Sequence, residues 1–571
     1  MKKEAILHIP MSQYAYGTDE KHITIRLRTG HGDLKKCVLH YGDRACRQTP
    51  ILFMKTEMTM EAETELFDYY QVVLENPYRR LCYCFELVDE NESIFYYGDT
   101  FNTQITEDRS EYYQLPYNHR ADIVRPPSWV KDAVIYNIFP DSFATGKRYI
   151  SGMATEKEFA GVSTKGKLGG TLRGIIENVD YLSELGVNAI YINPIFAAGE
   201  YHKYDLIDYF HIDPCFGTNE EFHELVDTYH RNGIKVIIDG VFNHCGWKFF
   251  AFEDVVKNGE KSKYKDWFYR LEFPVVRPDD FETYPSYECF GYERLMPKLN
   301  TANPEVEEYF CRVGRYWVEE FHTDGWRIDV ASEVNDAFWR KFHREVKRVN
   351  PDAVLIGEIW ESANHWLDGT IFDSAMNYDF RKHCKRFFGE QSIDAMEFNN
   401  RVTDMRMRYR SQTVFAQLNV LDSHDVSRFL SVCKNDERCY RLAVVFQMTF
   451  MGMPSVFYGD ELGISGLKEE EYRQPMCWGK DSPLFAFFQK LIILRKEEEV
   501  LRSGEFRTVL AKHGSRLYVY ERYSEQESIR IFLNMDETET DIEKLMDGKN
   551  VLMEDGLHQG KLAGKGFAIV K

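Results

Sequence analysis

The sequence contains no apolar run of the length of a membrane-spanning helix and no block of consecutive basic residues. Its 71 lysines and arginines stand against 91 aspartates and glutamates, so the 571-residue chain carries a formal net charge of -20. Such a charge disfavours nucleic acid and anionic membrane surfaces as partners. The amino-terminal segment MKKEAILHIPM also lacks the long apolar core of a signal peptide. We therefore expect a cytoplasmic protein that binds neither nucleic acid nor a membrane.

Cysteine pairs with metal-site spacing are absent as well. The 12 cysteines form no CxxC, and the two that stand closest together are Cys82 and Cys84. They are expected to be reduced and buried as small apolar residues, so they predict no metal site. The segment HELVDTYH (223–230) superficially resembles a zinc-binding HExxH, but its second histidine stands seven positions after the first. Two surface histidines on an amphipathic helix are the better interpretation.

The first part of the chain, residues 1–124, is predicted to be a β-sandwich. In HITIRLRT (22–29) apolar residues alternate with threonine and arginine, which is typical of a half-exposed strand. Further short strand-like runs follow, separated by turn-rich or charged segments. The consecutive prolines of RPPSW (125–129) then indicate a linker, because they favour extended backbone.

Between residues 125 and 500, eight strand-like segments alternate with amphipathic helical segments. The strand-like segments are AVIYNIF (133–139), NAIYIN (188–193), KVIID (235–239), GWRID (325–329), AVLIGEI (353–359), IFDSAM (371–376), FAQLNVLD (415–422) and PSVFY (454–458). The helical segments TLRGIIENVDYLSELG and TNEEFHELVDTYHRNG each begin on a candidate capping threonine and end on glycine. This alternation predicts an α/β fold, a (β/α)8 TIM barrel, with a doubly wound parallel sheet as the structural alternative.

Two further segments complete the predicted organisation. The connection after the third strand, from about residue 245 to 298, is too long for slack chain and is predicted to be an inserted subdomain. After about residue 500 the pattern becomes β-like again, in RLYVYERY and SIRIFLN. Residues 501–571 are therefore predicted to form a C-terminal all-β domain.

Polar residues collect where the predicted strands end. They are Asp239, Asn243 and His244 after the third strand, Arg327 and Asp329 on the fourth, Glu358 on the fifth, and His424 and Asp425 after the seventh. Taken singly, each has an ordinary structural explanation, such as an ion pair or a solvated strand end. Their recurrence at one end of four strands predicts a site at the barrel mouth, where barrel enzymes place their reactive groups.

Two carboxyl groups in this set are predicted to differ in protonation, one favoured as the ionised form and the other as the protonated form. Arg327 and Asp329 stand two apart on a strand, so their side chains leave the same face, and the guanidinium favours the ionised carboxylate. Glu358 follows an apolar strand, VLIG, which favours a protonated carboxyl. An ionised nucleophile beside a protonated acid indicates glycoside hydrolysis.

The same residues resemble a known family. DGVFNH (239–244), GWRIDVASEV (325–334), GEIW (357–360) and LDSHD (421–425) are similar to the four signature regions of the α-amylase family, glycoside hydrolase family 13. MPKLNT (296–301), HKYDLIDYFHIDPCFGT (202–218) and the N-terminal β-module, a starch-binding-like module, resemble its neopullulanase, cyclomaltodextrinase and maltogenic amylase branch. The resemblance covers essentially the whole chain and implies the same barrel.

The resemblance also implies residue roles. Asp329 is expected to be the nucleophile, Glu358 the general acid/base and Asp425 a third carboxylate that grips sugar hydroxyls. The expected substrate-binding residues are Tyr204, His244, Arg327, His424, His202, Phe290, Trp360, Glu469 and Arg473. The reaction would be double displacement with retention of the α-anomer.

Several positions depart from the branch's pattern. Asn137 and Ser142 stand where the branch usually has Gln and Arg, and Asp422 stands where it tends to have Gly. Ser332 replaces an Asn that the branch links to the handling of α-1,6 bonds. The loop FATGKRYISGMA (143–154) lacks the acidic cluster that supplies calcium ligands in many relatives, and it carries Lys147 and Arg148. No cofactor is expected to be required, and calcium stays optional.

Alternatives remain open at this point. A transglycosylase or isomerase would use the same covalent intermediate, and a non-catalytic glucan-binding protein would share the fold. The expected partners are α-glucan oligosaccharides or cyclodextrins, and the expected bonds are α-1,4, with α-1,6 left open. By resemblance, the N-terminal domain is expected to form a homodimer; a monomer with a packed accessory domain is the alternative.

Overall fold

The structure is a computed structural model that describes residues 1–76, 78–146, 168–280 and 282–571. The chain forms two compact units. One contains Met1–Arg125, Gln391–Val414 and Gly504–Lys571, and the other contains Pro126–Glu390 and Phe415–Ser503. In the described ranges, no helix is long and apolar enough to cross a membrane.

The first unit begins with two antiparallel sheets, as the sequence predicts. The strands in the described ranges are β1 (Ala15–Gly17), β2 (His22–Gly30), β3 (Lys36–Gly42), β4 (Met54–Glu57), β5 (Thr59–Glu63), β6 (Phe67–Glu75), β7 (Leu81–Val88), β8 (Ser93–Tyr97), β9 (Thr100–Asn102) and β10 (Tyr113–Leu115). One sheet has the order β1-β2-β6-β5, and the other β4-β3-β7-β8-β9 with β10 beside β7. Apolar side chains from both sheets share one buried core.

The half-exposed strand predicted at HITIRLRT is buried on both faces over most of its length. Ile23, Ile25 and Leu27 face the core as expected, but Thr24 and Arg26 are buried too. The reason is that the second face of this strand, β2, contacts Tyr409, from residues 391–414 of the same unit. The guanidinium of Arg26 is satisfied there by hydrogen bonds to Gln71 Oε1 and Tyr409 O, both 2.6 Å long.

The second unit contains the predicted closed barrel. Its parallel strands are β11 (Ile135–Ile138), β12 (Ala189–Ile192), β13 (Lys235–Val241), β14 (Gly325–Asp329), β15 (Val354–Gly357), β16 (Ser374–Asn377), β17 (Leu418–Val420) and β18 (Met453–Phe457), and β18 pairs with β11. The fold-class prediction is confirmed, and the doubly wound sheet is excluded. The interior is filled by apolar side chains such as Ile237, Ile356 and Leu418. The strands are shorter than their apolar runs, so Asp422, predicted inside the seventh strand, lies beyond its end.

The first unit is completed by a third antiparallel sheet, as predicted for the C-terminal segment. Its strands in the described ranges are β19 (Glu505–Leu510), β20 (Leu517–Tyr523), β21 (Ser528–Asn534), β22 (Thr540–Asp541), β23 (Val551–His558) and β24 (Lys561–Val570). The order is β19-β20-β21-β24-β22, with β23 also beside β24. Residues 391–414 cluster with this unit although they stand between β16 and β17 in the chain.

The predicted capping threonines begin their helices, but the helix ends differ in part: residues 171–186 form two helices divided at Asn178, and the second segment has Asn232 and not Gly233 as its C-cap. Thr171 caps α2, Gly186 ends α3 in the left-handed region, and Thr218 and Glu221 form a reciprocal capping box at the start of α4. The α-helices in the described ranges are α1 (Pro140–Phe143), α2 (Leu172–Glu177), α3 (Val179–Leu185), α4 (Asn219–Arg231), α5 (Phe250–Asn258), α6 (Pro304–Glu320), α7 (Asp336–Val349), α8 (Tyr378–Cys384), α9 (Ala395–Met407), α10 (Ser411–Val414), α11 (Phe429–Val432), α12 (Glu437–Thr449), α13 (Glu469–Tyr472), α14 (Pro483–Glu497), α15 (Glu499–Ser503) and α16 (Glu543–Met546).

The long connection after β13 is a compact insertion whose two ends lie side by side. The backbone N–H of Cys245 donates to Pro297 O at 3.1 Å, and that of Trp247 donates to Leu295 O at 3.0 Å. The insertion therefore leaves and rejoins the barrel at one place, beside the carboxyl end of β13.

Candidate active site

A cavity of about 600 Å³ opens at the carboxyl ends of the barrel strands. Its lining residues are His202, Tyr204, His244, Phe290, Met296, Asp329, Val330, Ser332, Glu333, Glu358, Trp360, Asp425, Glu469 and Arg473. The structure thus brings ten of the twelve sequence-predicted site residues to one cavity. The other two, Arg327 and His424, are fully buried and contact residues of the lining.

Strand β14 aims Arg327 and Asp329 into the barrel, as the alternation of strand side chains predicts. Its register sets Arg327 opposite Asp239 and Asp329 opposite Val241. Trp326 points the other way, and its indole N–H donates to Gly314 O of helix α6 at 3.2 Å. The strand is therefore anchored on its outer face and reactive on its inner face.

One guanidinium contacts three carboxylates. Arg327 Nη1 donates to Asp239 Oδ1 at 3.0 Å and to Asp329 Oδ1 at 2.9 Å. Its Nη2 lies 2.9 Å from Glu358 Oε1 as an ion pair without hydrogen-bond geometry. The charge of Arg327 therefore fixes the carboxyls of Asp329 and Glu358 on two sides of one planar group.

The residue after Asp329 has a strained backbone that serves Glu358. Val330 adopts a left-handed conformation, with φ 44° and ψ 45°, which is rare for a β-branched residue. In this conformation its N–H donates to Glu358 Oε2 at 2.9 Å. The backbone immediately after Asp329 thus holds the carboxylate of Glu358 in place.

In the site without substrate, the surroundings of Asp329 oppose the ionised state that the sequence predicts for it. Burial, together with the negative charge of Glu358, raises the pKa of Asp329 well above its usual range, although Arg327 lowers it. The sequence argument weighed the arginine and left out both the depth of burial and the second carboxylate. Since the two groups interact closely, the proton they hold belongs to the pair.

The pKa of the third carboxyl, Asp425, is shifted in the opposite direction. Burial raises the pKa of Asp425, but its interactions with His424, including a hydrogen bond, and the charges of Arg327 and Arg473 more than offset it and hold that pKa well below its usual range. Its Oδ2 lies 3.0 Å from His424 Nε2 and its Oδ1 3.4 Å from Arg473 Nη2. Asp425 is thus an ionised acceptor at the cavity wall.

A hydrogen-bond chain behind the cavity orients His424 and Tyr204. Asn193 Nδ2 donates to His424 Nδ1 at 2.9 Å, which leaves the ring hydrogen on Nε2. That Nε2 lies 2.6 Å from the Tyr204 hydroxyl, and the hydroxyl donates to Asp239 Oδ2 at 3.0 Å. The Tyr204 ring stacks on His424 at 5.4 Å with 9° between the planes. The sequence analysis missed Asn193; its signal was its place at the end of the second strand.

His244 and His202 are neutral residues of the cavity wall. Burial lowers the pKa of His244 to about 3 and that of His202 to about 4. His244 stacks on Phe290 at 5.1 Å, and its Nε2 is buried without a partner in the described part of the chain. A neutral imidazole with an unused nitrogen fits an uncharged ligand with hydroxyl groups.

Glu469 and Arg473 form one side of the cavity from helix α13 and the residue that follows it. Arg473 Nη1 donates to Glu469 Oε1 at 2.6 Å and to the Tyr201 hydroxyl at 3.0 Å, while its Nε donates to His424 O at 2.7 Å. The arginine therefore ties this wall to the loop that carries Asp425.

Trp360 forms an open aromatic platform on the opposite side. It is 42% exposed, and its ring stacks on Tyr378 at 3.9 Å with 7° between the planes. Its indole N–H donates to Glu358 Oε1 at 3.2 Å. An exposed ring held flat beside a carboxylate suits the apolar face of a sugar. Tyr378, which the sequence analysis missed, immediately follows strand β16.

Among the described residues, the cavity contains no group of three or more histidine, cysteine or carboxylate side chains that could together hold a metal ion. The group of this kind in the described ranges is His31, Glu63 and Asp68, in the amino-terminal part of the chain. Lys147 and Arg148, on which the calcium prediction rests, lie outside the described residues.

A closed barrel with three carboxylates, neutral histidines and aromatic platforms around one cavity defines an enzyme that acts on carbohydrate. Residues 137–481 match the family model described as alpha amylase, catalytic domain, and residues 1–119 match that described as alpha amylase, N-terminal ig-like domain. The chain belongs to the α-amylase family of glycoside hydrolases.

Three similar proteins carry related names. Neopullulanase 2 of Thermoactinomyces vulgaris is 42% identical over 94% of this chain and 91% of its own length. The intracellular maltogenic amylase of Bacillus subtilis (strain 168) is 40% identical over 88% of this chain and 85% of its own. A solved structure of a cyclomaltodextrinase superposes with a TM-score of 0.90 at 36% identity and covers 100% of both chains.

Proposed function

We propose that this protein hydrolyses α-1,4 glucosidic bonds of cyclodextrins, maltooligosaccharides or pullulan by double displacement with retention. The observation that carries the proposal is the contact of one buried guanidinium with both Asp329 and Glu358 at the ends of neighbouring strands. Two carboxyls held on one planar group can attack and protonate the same glycosidic bond. Cleavage of α-1,6 bonds at the same centre is part of the proposal, with Ser332 at the cavity wall.

In the first step, Asp329 attacks the anomeric carbon while Glu358 gives a proton to the leaving oxygen. Burial and charge repulsion keep a proton on the carboxyl pair, and Glu358 is the member placed beside the open Trp360 platform. In the second step, water attacks the glycosyl-enzyme ester and Glu358 takes its proton, which restores the α-anomer.

The remaining wall residues bind the sugar. The ionised Asp425 accepts hydrogen bonds from sugar hydroxyls, and the neutral His244 binds another through its Nε2. His424 contributes to the same wall beside Asp425. Tyr204 supports the sugar ring from the closed end of the cavity. Glu469 and Arg473 bind the glycone side, and Phe290 and Trp360 bind the leaving group.

The family resemblance supports three further parts of the proposal. The protein acts in the cytoplasm, as the name of the intracellular relative suggests for that relative. It forms a homodimer through its N-terminal domain. It needs no cofactor, and calcium is optional.

A second candidate reaction, transfer of the glycosyl group to a sugar, is favoured by one observation. Trp360 is open to solvent directly beside Glu358, so an acceptor sugar stacked there would meet the acid/base that activates the attacking hydroxyl. The same covalent intermediate serves both reactions, and they differ only in what attacks it.

The deciding experiment is product analysis of wild type and Asp329→Asn on maltoheptaose, β-cyclodextrin and pullulan, resolving chain length and anomer. We expect α-configured short products from wild type and near-total loss in the variant. Asp352→Asn, an exposed aspartate in the loop before β15, is the matched control and should behave as wild type. Products longer than the substrate would establish transfer. Binding without cleavage would support the non-catalytic glucan-binding alternative, and an active Asp329→Asn would refute the nucleophile assignment.

A further inference from the structure

The loop that carries Asp425 is held at both ends by one arginine. Arg381, in helix α8, donates from Nε to Leu421 O at 2.8 Å and from Nη2 to Ser427 O at 3.0 Å. Within the loop, the N–H of Asp425 donates to Ser423 Oγ at 3.2 Å. The position of Asp425 in the cavity therefore depends on how residues 421–427, which we call the Asp425 loop, are seated on the barrel.

Beneath this loop, two buried carboxyls meet. Asp422 is 1% exposed and Asp460 4% exposed, and their side chains lie within hydrogen-bond reach of each other. The Oδ1 of Asp422 is buried without an N–H or O–H donor in the described part of the chain. Two carboxyl oxygens can form a hydrogen bond only if one of them carries a proton.

Both carboxyl oxygens of Asp460 also accept hydrogen bonds from other parts of the barrel. Its Oδ1 accepts from Arg428 Nη1 at 2.9 Å, and its Oδ2 accepts from the N–H of Phe457 at 3.0 Å. Arg428 is 0% exposed and also donates to Tyr458 O at 2.7 Å. Asp460 is thus a fixed anchor at the end of β18, and Asp422 is the group that connects the Asp425 loop to it.

We propose that Asp422 is a positioning residue for Asp425, and that it seats the Asp425 loop on Asp460 through one shared proton. The inference rests on the role proposed for Asp425 in sugar binding.

The charges around the pair agree with a shared proton. Burial raises the pKa of Asp422, and burial together with the charge of Asp422 raises the pKa of Asp460 well above its usual range. The charged and titratable groups that face the pair are Arg381 from α8, Arg428 before α11, Tyr440 from α12, and Glu461 beside Asp460. The proton is retained at low pH. As pH rises through the raised pKa of the pair, the bond is replaced by repulsion between two carboxylates.

The test compares Asp422→Asn with Asp422→Ala. The asparagine amide donates to Asp460 at every pH, so its kcat/KM on maltoheptaose should be close to wild type near pH 6 and should exceed wild type at alkaline pH. Alanine removes the bond and should lower kcat by up to about 100-fold, since a shift of about 1 Å in a catalytic group has that effect. The carboxyls of the active site are the same in all three chains, so only the differences between the three pH profiles are read.

A second readout keeps the inference separable from the proposed function. In an Asp329→Asn background, which does not cleave, the Kd of β-cyclodextrin is measured by calorimetry across the same pH range. Affinity should fall with rising pH when residue 422 is Asp and stay level when it is Asn. If wild type fails to cleave any glucan, the proposed function fails while this binding comparison still decides the inference. Identical pH profiles for Asp and Asn, or an alanine variant with wild-type kcat, would overturn it.

Discussion

Arg327 compensates three buried carboxylates at once, and its loss is predicted to destabilise the barrel in a way that depends on pH. The guanidinium is 0% exposed and lies 3.0, 2.9 and 2.9 Å from oxygens of Asp239, Asp329 and Glu358. Breaking a buried ion pair from one side costs about 3–5 kcal/mol, because the partner charge is left without compensation. Arg327→Met should therefore lower the free energy of unfolding by about this amount at pH 8.

Arg327→Lys is the matched control, because it keeps the positive charge and loses the planar fork. The single ammonium of lysine cannot contact three carboxylates as the planar guanidinium does. The free energy of unfolding should therefore fall by the contribution of one charged hydrogen bond, about 1.5–3 kcal/mol. Both variants should have little hydrolytic activity, since Asp329 and Glu358 are no longer fixed on one group.

The pH dependence follows from the sign of the pKa changes. Burial and Glu358 already raise the pKa of Asp329, and without the cation the folded-state pKa of Asp329 rises further above the unfolded value. The folded Met variant therefore gains stability from protonation, and its deficit should be smaller at pH 5 than at pH 8. The loss in the free energy of unfolding is measured at both pH values by urea unfolding, with tryptophan fluorescence as the signal. Equal losses for Met and Lys, or a Met deficit that does not shrink at pH 5, would refute the reasoning.

Three further predictions address the cavity. Tyr204→Phe removes the hydroxyl between Asp239 and His424 and should lower kcat/KM on maltoheptaose by about 2- to 13-fold, the value of one hydrogen bond, whereas Tyr204→Ala should lower it further because the ring is lost. Trp360→Ala removes the platform beside Glu358 and should raise KM by about 2- to 13-fold, as expected for one aromatic contact; an unchanged KM would show that the ring does not touch substrate. Incubation with EDTA should leave kcat/KM unchanged, and activity restored by added calcium would contradict this.

The sequence predicted the architecture because apolar strands and their polar ends are local patterns. The eight strands of the barrel lie where period and composition indicate them, and the carboxylates lie at their carboxyl ends. The protonation of Asp329 was beyond such reasoning, since it depends on burial and on Glu358 in the neighbouring strand. The burial of Arg26 was missed for a similar reason, because it depends on a contact with Tyr409, 383 positions further along the chain.

Contacts between residues far apart in the chain could not be predicted from the sequence either. Nothing near Arg381 in the sequence indicates that it bonds the two ends of the Asp425 loop, some forty residues away. The left-handed backbone of Val330 was also unpredicted, because valine is among the residues least suited to that conformation.

The conformation of Val330 sets a limit on how far this protein can be stabilised without loss of function. A left-handed non-glycine residue costs roughly 1–3 kcal/mol, and glycine at this position would relieve that strain. The same freedom would loosen the N–H that holds Glu358 Oε2, so the stabilised chain would be the poorer catalyst. Stability and activity therefore make opposite demands on residue 330. Selection of variants for thermal stability alone would favour glycine there and would lower the activity.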